Sequence, residues 1–244
     1  MSHLNIIKTS LGASIVLESG EPLPLRHIIG VGRNYAEHAK EQGAAIPERP
    51  MIFTKNPASL CLSGDSITIP RICQDRPQVD FEAELAVILG PTPLRDVPLE
   101  RALDGVVGFA CANDVSARWW QKEGSGGQFC RGKSFDTFCP IGPYVTPASR
   151  VADPSSLRVV CRVNGIVKQD ASTSQMMFSV ASLIADLSRG TTLLPGTVIL
   201  TGTPSGVGMS RTPPEFLRQG DVVEVEITGP GISLGVLRNP VRDE

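Results

Sequence analysis

The sequence predicts a mainly β chain of the α+β class, and three observations carry that expectation. First, 24 glycines and 20 prolines among 244 residues cut the chain into short segments, the punctuation of sheets with many turns. Second, far more segments read as strands than as helices. Third, Val79 to Gly90 alternates apolar with other residues and closes on Gly90-Pro91, the pattern of a β-strand.

Taken in order, the strands are expected at Ser14 to Leu17, Ile28 to Val31, Met51 to Thr54, Ser66 to Ile69, Phe81 to Leu89 and Gly105 to Ala112. They continue at Ile141 to Val145, Leu157 to Val163, Val198 to Thr201, Val222 to Ile227 and Ile232 to Leu237. Helices are expected at about Tyr35 to Gln42, Ser116 to Gln121 and Ser179 to Ser188, the last with Val180, Leu183, Ile184 and Leu187 at helical spacing. The first 26 residues read as a short extension, and residues 27 to 244 as one domain.

Composition narrows the function classes. With 41% apolar residues, 20% charged residues and a formal net charge of -2, the chain reads as globular. Lys and Arg are scattered rather than striped, so no nucleic-acid partner is expected, and no apolar run is long enough to span a bilayer. Met1 to Lys8 lacks a basic segment followed by an apolar one, so no signal peptide and a cytoplasmic location are expected. Cys61, Cys73, Cys111, Cys130, Cys139 and Cys161 are widely spaced without C-x-x-C, which fits reduced thiols better than disulfides or a zinc site.

The third observation also locates chemistry. On a strand, side chains at every second position share a face, so Glu82 and Glu84 stand about 6 to 7 Å apart on one side. Alternating acids fit a solvated edge strand equally well. The face continues into Ala86 and Ile88, however, which favours burial, and buried carboxylates repel unless a cation or a proton intervenes.

Three further stretches stand at strand ends. In Gly32 to Glu41, His38 and Glu41 are three apart, a helical spacing that lets a carboxylate orient an imidazole, although a solvated helix face carries the same pattern. Gln42 to Pro50, small and Pro-flanked, has the composition of a loop that closes over a site. Asn113-Asp114 ends an apolar strand, and Asp114 read alone is a helix N-cap. Arg118 and Gln121 follow three apart, and Lys133, on a loop, reads by itself as solvated. Thr201 to Gly208 is a turn without either phosphate-binding glycine pattern, yet able to offer amides and the Thr203 hydroxyl to a small anion.

Together these blocks carry a resemblance. G-R-N-Y-x-x-H-x-x-E from Gly32, D-F-E-x-E-L-A-V-I-L-G from Asp80 and N-D-V-S-A-R-x-x-Q from Asn113 occur in order. G-K-S-F-D-T-F-C-P-I-G-P from Gly132 and V-I-L-T-G-T-P-x-G-V-G from Val198 follow. The chain resembles the fumarylacetoacetate hydrolase family over about residues 27 to 237. The resemblance implies a mixed β-sandwich roll with a few short helices, usually a homodimer, acting on 2-oxo or 2,4-dioxo acids with Mg²⁺ or Mn²⁺. Carried over residue by residue, it implies Glu82, Glu84 and Asp114 as metal ligands and His38, Glu41 and Lys133 as catalytic groups. Arg33, Tyr35, Arg118, Gln121 and Thr203 would bind substrate. Trp119, where the family commonly has an acid, and Asn56 after Lys55, where Pro is frequent, depart from the pattern.

The chemistry so implied is enolate chemistry. Oxygen ligands suit a hard cation that exchanges its waters for substrate oxygens. Water activated by His38 attacks the distant carbonyl of an acylpyruvate or fumarylpyruvate, and the departing pyruvate enolate is stabilised by the cation and Lys133. The expected activity is therefore C–C bond hydrolysis of a 2,4-dioxo acid to pyruvate and a carboxylic acid. Oxaloacetate decarboxylation, isomerisation or hydration of an unsaturated 2-oxo diacid, and a non-catalytic binding protein are the alternatives.

Overall fold

Strand β9 (Ala83–Leu89), which carries the acids, lies mid-sheet and is buried along its whole length. The computed structural model describes residues 3–9, 12–41, 43 and 47–244. The central sheet contains β4 (His27–Gly32), β5 (Met51–Lys55), β6 (Leu60–Leu62), β9, β10 (Val106–Asn113), β12 (Cys139–Pro147) and β15 (Thr197–Leu200). Their spatial order is β5-β4-β15-β9-β10-β12-β6. The two edges, β5 and β6, are joined by the single turn Pro57–Ser59, so the sheet curls until its ends approach. A solvated edge strand is thereby excluded for β9.

A second sheet runs β14 (Ile166–Ser172), β13 (Arg158–Val163), β16 (Val222–Gly229), β17 (Ile232–Asp243), β7 (Ile67–Ile69). Leu85, Val87 and Leu89 pack toward it in a core shared with Val159, Val225 and Leu237. Ala86 and Ile88, on the opposite face, pack with Ile15, Leu25 and Leu4. Ile15 and Leu25 belong to an N-terminal meander of β1 (Ile6–Thr9), β2 (Gly12–Val16) and β3 (Pro22–Leu25) that covers the central sheet, and Leu4, just before it, bridges to Val145. With Leu85, Ile88 and Leu89 each excluded from water, about 1.5 to 3 kcal/mol per side chain fixes the register of β9 and carries its two acids into the interior.

Differences from the sequence-based expectation have local causes. The expected strand Phe81 to Leu89 starts at Ala83, and the alternating run from Val79 is split, because β8 (Val79–Asp80) leaves to pair with β11 (Ser116–Ala117). The expected helix from Ser116 accordingly starts later, as α2 (Arg118–Gln121). Helix α3 (Phe129–Lys133) was not anticipated because Gly132 interrupts its pattern; an added Cβ there would lie 2.4 Å from the Gln121 amide nitrogen, so only glycine lets α3 pack on α2. Strands β3, with Pro22 and Pro24, and β14, largely polar, also lack strong strand signals. Helix α4 (Val180–Ser188) buries Val180, Leu183, Ile184 and Leu187 as its spacing predicts, capped by the Ser179 hydroxyl. Helix α1 (Ala36–Glu41) matches the expected first helix. Gln42 and residues 44–46 of the expected closing loop lie outside the described residues. Among the described residues no helix is long and apolar enough to cross a membrane.

Candidate active site

Period and register bring the acids together. Glu84 on β9 faces Ala112 on β10, and two residues on, where the strands run out, the Asp114 amide donates to the Glu82 carbonyl at 2.8 Å. Glu82, Glu84 and Asp114 therefore project on one side, each offering an oxygen within 4.8 Å of the others, all buried. Asn113 braces the bend: its Oδ1 accepts the Glu82 amide at 2.9 Å. Asp114 is not an N-cap, since Ala117 occupies that position, and its carboxylate lies wholly inside the protein.

Cations close around this cluster. Lys133 is not solvated. Its Nζ donates to Glu82 Oε2 at 2.8 Å, Asp114 Oδ2 at 2.5 Å and Ser116 Oγ at 2.8 Å. Lys55, at the end of β5, reaches across the curled sheet to Asp114 Oδ1 at 2.5 Å. Arg118 donates through Nε to Asp80 Oδ2 at 2.8 Å and through Nη1 to Glu82 Oε1 at 2.6 Å and Gln121 Oε1 at 3.0 Å. Asp80 also accepts the amides of Gly208 at 2.8 Å and Met209 at 3.0 Å, tying this network to the loop beyond β15.

The electrostatics are uneven. Burial raises the Glu82 pKa, but Lys133, Arg118 and His38 outweigh it and hold the carboxyl well below the usual range. Burial lowers the Lys133 pKa, and Asp114 and Glu82 outweigh it, so its ammonium is stabilised. Glu84 differs. Burial, then Asp114 and Glu82, push it well above the ordinary carboxyl value, and among the described residues no ion pair includes it; its one strong donor is the Gly202 amide at 2.7 Å. A buried carboxylate without a cation, beside two others, suits a divalent ion. An all-oxygen donor set suits a hard one.

Facing the acids is His38, buried, with Nδ1 2.7 Å from Glu41 Oε1. It lines the same chamber as Glu82, Glu84, Lys133, Arg33 and Thr203. That chamber measures about 20 Å³, roughly the space of one water molecule. A larger cleft of about 540 Å³ beside Arg131 and Arg242 contains none of these groups.

The other expected substrate residues divide. Arg33 and Gln121 line the chamber. Thr203 also lines it, but its hydroxyl donates to Ala83 O at 3.0 Å and accepts from Gln169 Nε2 at 2.7 Å, an engagement that suits structure rather than substrate. Tyr35 is buried with its hydroxyl unpartnered, its pKa raised by burial and by Glu84. Trp119 takes an edge-on contact with Trp120 and receives Arg76 on its face, and Asn56 caps the turn at Pro57; neither lines the chamber. Lys55, Asp80 and Gln169 had no local signal beyond an inward position on a strand, because each acts through a distant partner.

Comparison with known proteins places this geometry. The family model described as Fumarylacetoacetate (FAA) hydrolase C-terminal matches residues 27–242. The chain is similar to human oxaloacetate tautomerase FAHD2A, mitochondrial, with 45% identity over 88% of this chain and 66% of that protein, so it spans just under two thirds of that relative's length. It is 42% identical to oxaloacetate tautomerase YisK of Bacillus subtilis over 94% of this chain and 74% of that one. Among solved structures, a fumarylacetoacetate hydrolase from Exiguobacterium antarcticum superposes with a TM-score of 0.82 at 35% identity, covering 99% of both chains. A 5-carboxymethyl-2-hydroxymuconate delta-isomerase from Mycobacterium smegmatis gives 0.78 at 34%, covering 99% of this chain and 94% of that one.

Proposed function

The chain belongs to the fumarylacetoacetate hydrolase family, and from that premise we propose that it is a metal-dependent tautomerase of a small 2-oxo diacid of the oxaloacetate type. The observation that carries the reading is that His38, with its Glu41 partner, shares one chamber with Glu82, Glu84 and Lys133. Keto–enol exchange needs a base at the carbon beside the ketone and a cationic environment at its oxygen. Glu82, Glu84 and Asp114 would hold Mg²⁺ or Mn²⁺, which supplies Lewis-acid stabilisation of the developing enolate charge. With Nδ1 against Glu41, the His38 tautomer presents Nε2 as the atom that takes the C3 proton and returns it. Lys133, its charge secured by Asp114 and Glu82, supplies positive charge beside the developing enolate. Relatives of the same region, 42 to 46% identical, bear the name oxaloacetate tautomerase.

A second reading is C–C hydrolysis of an acylpyruvate or fumarylpyruvate, supported by the likeness to the Exiguobacterium hydrolase. A His–Glu pair beside an acid cluster also suits deprotonation of an attacking water. The discriminating experiment adds Mg²⁺ or Mn²⁺ and follows three signals: decay of enol oxaloacetate, CO₂ release, and pyruvate release from an acylpyruvate. Accelerated enol decay without CO₂ is expected. Pyruvate release with no acceleration of enol decay would transfer the assignment to the hydrolase. A cytoplasmic homodimer belongs to the same proposal, supported by six free cysteines for the reducing compartment and tested by light scattering for the dimer.

A further inference from the structure

In the second sheet, strand β14 departs from its ladder at one residue. Val167 pairs with Arg162 of β13 and Gln169 with Cys161, so the register skips Lys168, which stands as the extra residue of a β-bulge. The Lys168 carbonyl is engaged outside the sheet. Arg211 donates to it through Nη2 at 2.6 Å, and the same edge of the guanidinium donates through Nε to Gly206 O at 3.2 Å. Next to the bulge, Gln169 Nε2 donates to Thr203 Oγ1 at 2.7 Å and to Pro204 O at 2.8 Å. The bulge therefore seats the loop that follows β15 at residues 203, 204 and 206.

That seat has a consequence at the far side of Gly206. Residues 201–207 contain neither helix nor strand, so no ladder holds Gly206, and glycine has more backbone freedom than any other residue. Yet the Gly206 amide is what Glu41 binds. It lies 3.0 and 3.3 Å from the two Glu41 oxygens, and Glu41 Oε1 in turn stands 2.7 Å from His38 Nδ1. A donor aims a carboxylate only as well as it is itself fixed. Neither Arg211 nor Lys168 lines the chamber, so any effect of Arg211 on the chemistry must pass through these bonds. Resting on the functional reading above, we infer that Arg211 is a positioning residue: by joining the Lys168 bulge to Gly206 it fixes the amide that orients Glu41 and, through Glu41, His38. A planar guanidinium spans the two carbonyls with parallel N–H donors, which a lysine ammonium cannot reproduce. Its contact with Glu215 is long, at 4.0 Å, and leaves the carbonyl bonds as the principal ones.

The test compares Arg211→Ala, Arg211→Lys, Glu41→Ala and the double variant Arg211→Ala/Glu41→Ala, with deuterium exchange at C3 of oxaloacetate followed by NMR in the presence of Mg²⁺. Arg211→Ala should lower kcat about 10- to 100-fold while KM and the calorimetric Kd for Mg²⁺ stay within about twofold of the parent. Arg211→Lys should fall between the two. The double variant should be within about twofold of Glu41→Ala, because a residue that acts through Glu41 has nothing left to position once that carboxylate is gone. Hydrogen exchange of the Gly206 amide should accelerate about tenfold or more in Arg211→Ala. Unchanged kcat, a loss confined to KM or to Mg²⁺ binding, or a full second loss in the double variant would overturn the role of Arg211. Should Arg211→Ala not fold, Arg211→Lys carries the same comparisons. If the unmodified protein exchanges no C3 proton above buffer, the tautomerase reading fails, while Gly206 amide exchange still decides on Arg211, unchanged protection in Arg211→Ala counting against it.

Discussion

Glu41 accepts the backbone amide of Gly206 at 3.0 Å while the same carboxylate stands 2.7 Å from His38 Nδ1. One side chain thus orients the imidazole and ties α1 to the loop following β15. Gly206 is suited to this, with φ of 103° and a Cβ position only 2.2 Å from Lys168 O, where no side chain fits.

This relationship predicts a graded response. His38→Ala should lower keto–enol exchange, and any acylpyruvate hydrolysis, by about 10² to 10⁴-fold, the contribution of a positioned base. Oxaloacetate decarboxylation, which needs no proton abstracted from carbon or water, should survive much better. Glu41→Gln should lie between the parent and His38→Ala, because the amide oxygen still accepts from Gly206 but no longer stabilises a charged imidazole. Steady-state rates on the same preparations check the order, and equal loss of all activities in His38→Ala would remove His38 as the base.

The acid cluster predicts a pH-dependent stability in metal-free protein. A carboxyl whose folded pKa lies above its unfolded value contributes stability that is complete below the unfolded value, about 4.5, and lost as pH rises through the folded one. For Glu84, raised by burial, Asp114 and Glu82, the sign is destabilisation toward high pH. Glu82 has the opposite sign, so the Glu84→Gln difference isolates the effect. Thermal melts without metal should show Glu84→Gln gaining on the parent as pH rises, and Mg²⁺ should raise the Tm of the parent but not of the variant.

Asp80 is expected to matter for folding more than its distance from substrate suggests. It pairs with Arg118 and accepts the buried amides of Phe81 and Gly208 and the half-buried amide of Met209. Asp80→Ala leaves Arg118 with a reduced set of partners and three amides without their acceptor, a change of about 3 to 5 kcal/mol. Urea unfolding measures it, and a loss under 1 kcal/mol would show that Glu82 alone secures Arg118.

The thiols provide a simple check of the packing. Cys130 is exposed and the other five cysteines are buried. Burial pushes Cys73, Cys111 and Cys139 up to about 12, and Cys61 and Cys161 upward as well. Iodoacetamide at neutral pH should therefore label Cys130 alone, with the others reacting only after denaturation. Mass spectrometry of the digest locates the label, and prompt labelling of Cys139 would contradict the enclosed site.

What the sequence by itself determined is what period and turn chemistry encode. Alternation along Val79 to Gly90 put Glu82 and Glu84 on one face, helical spacing put His38 beside Glu41 and packed α4 on its apolar stripe, and the Asn-Asp step marked a strand end. These are local rules, satisfied within a few residues. Tertiary structure decided whether that acidic face met solvent or protein, and which charge met which. Lys55 finds Asp114 across 59 residues and Gly202 finds Glu84 across 118, contacts that exist because the central sheet curls and the N-terminal meander covers its far face. The same closure turned Asp114 from an apparent helix cap into a buried ligand candidate and Lys133 from a loop lysine into its partner. Charge pairing in an interior depends on which groups share a low-dielectric space, and no periodicity in a chain records that.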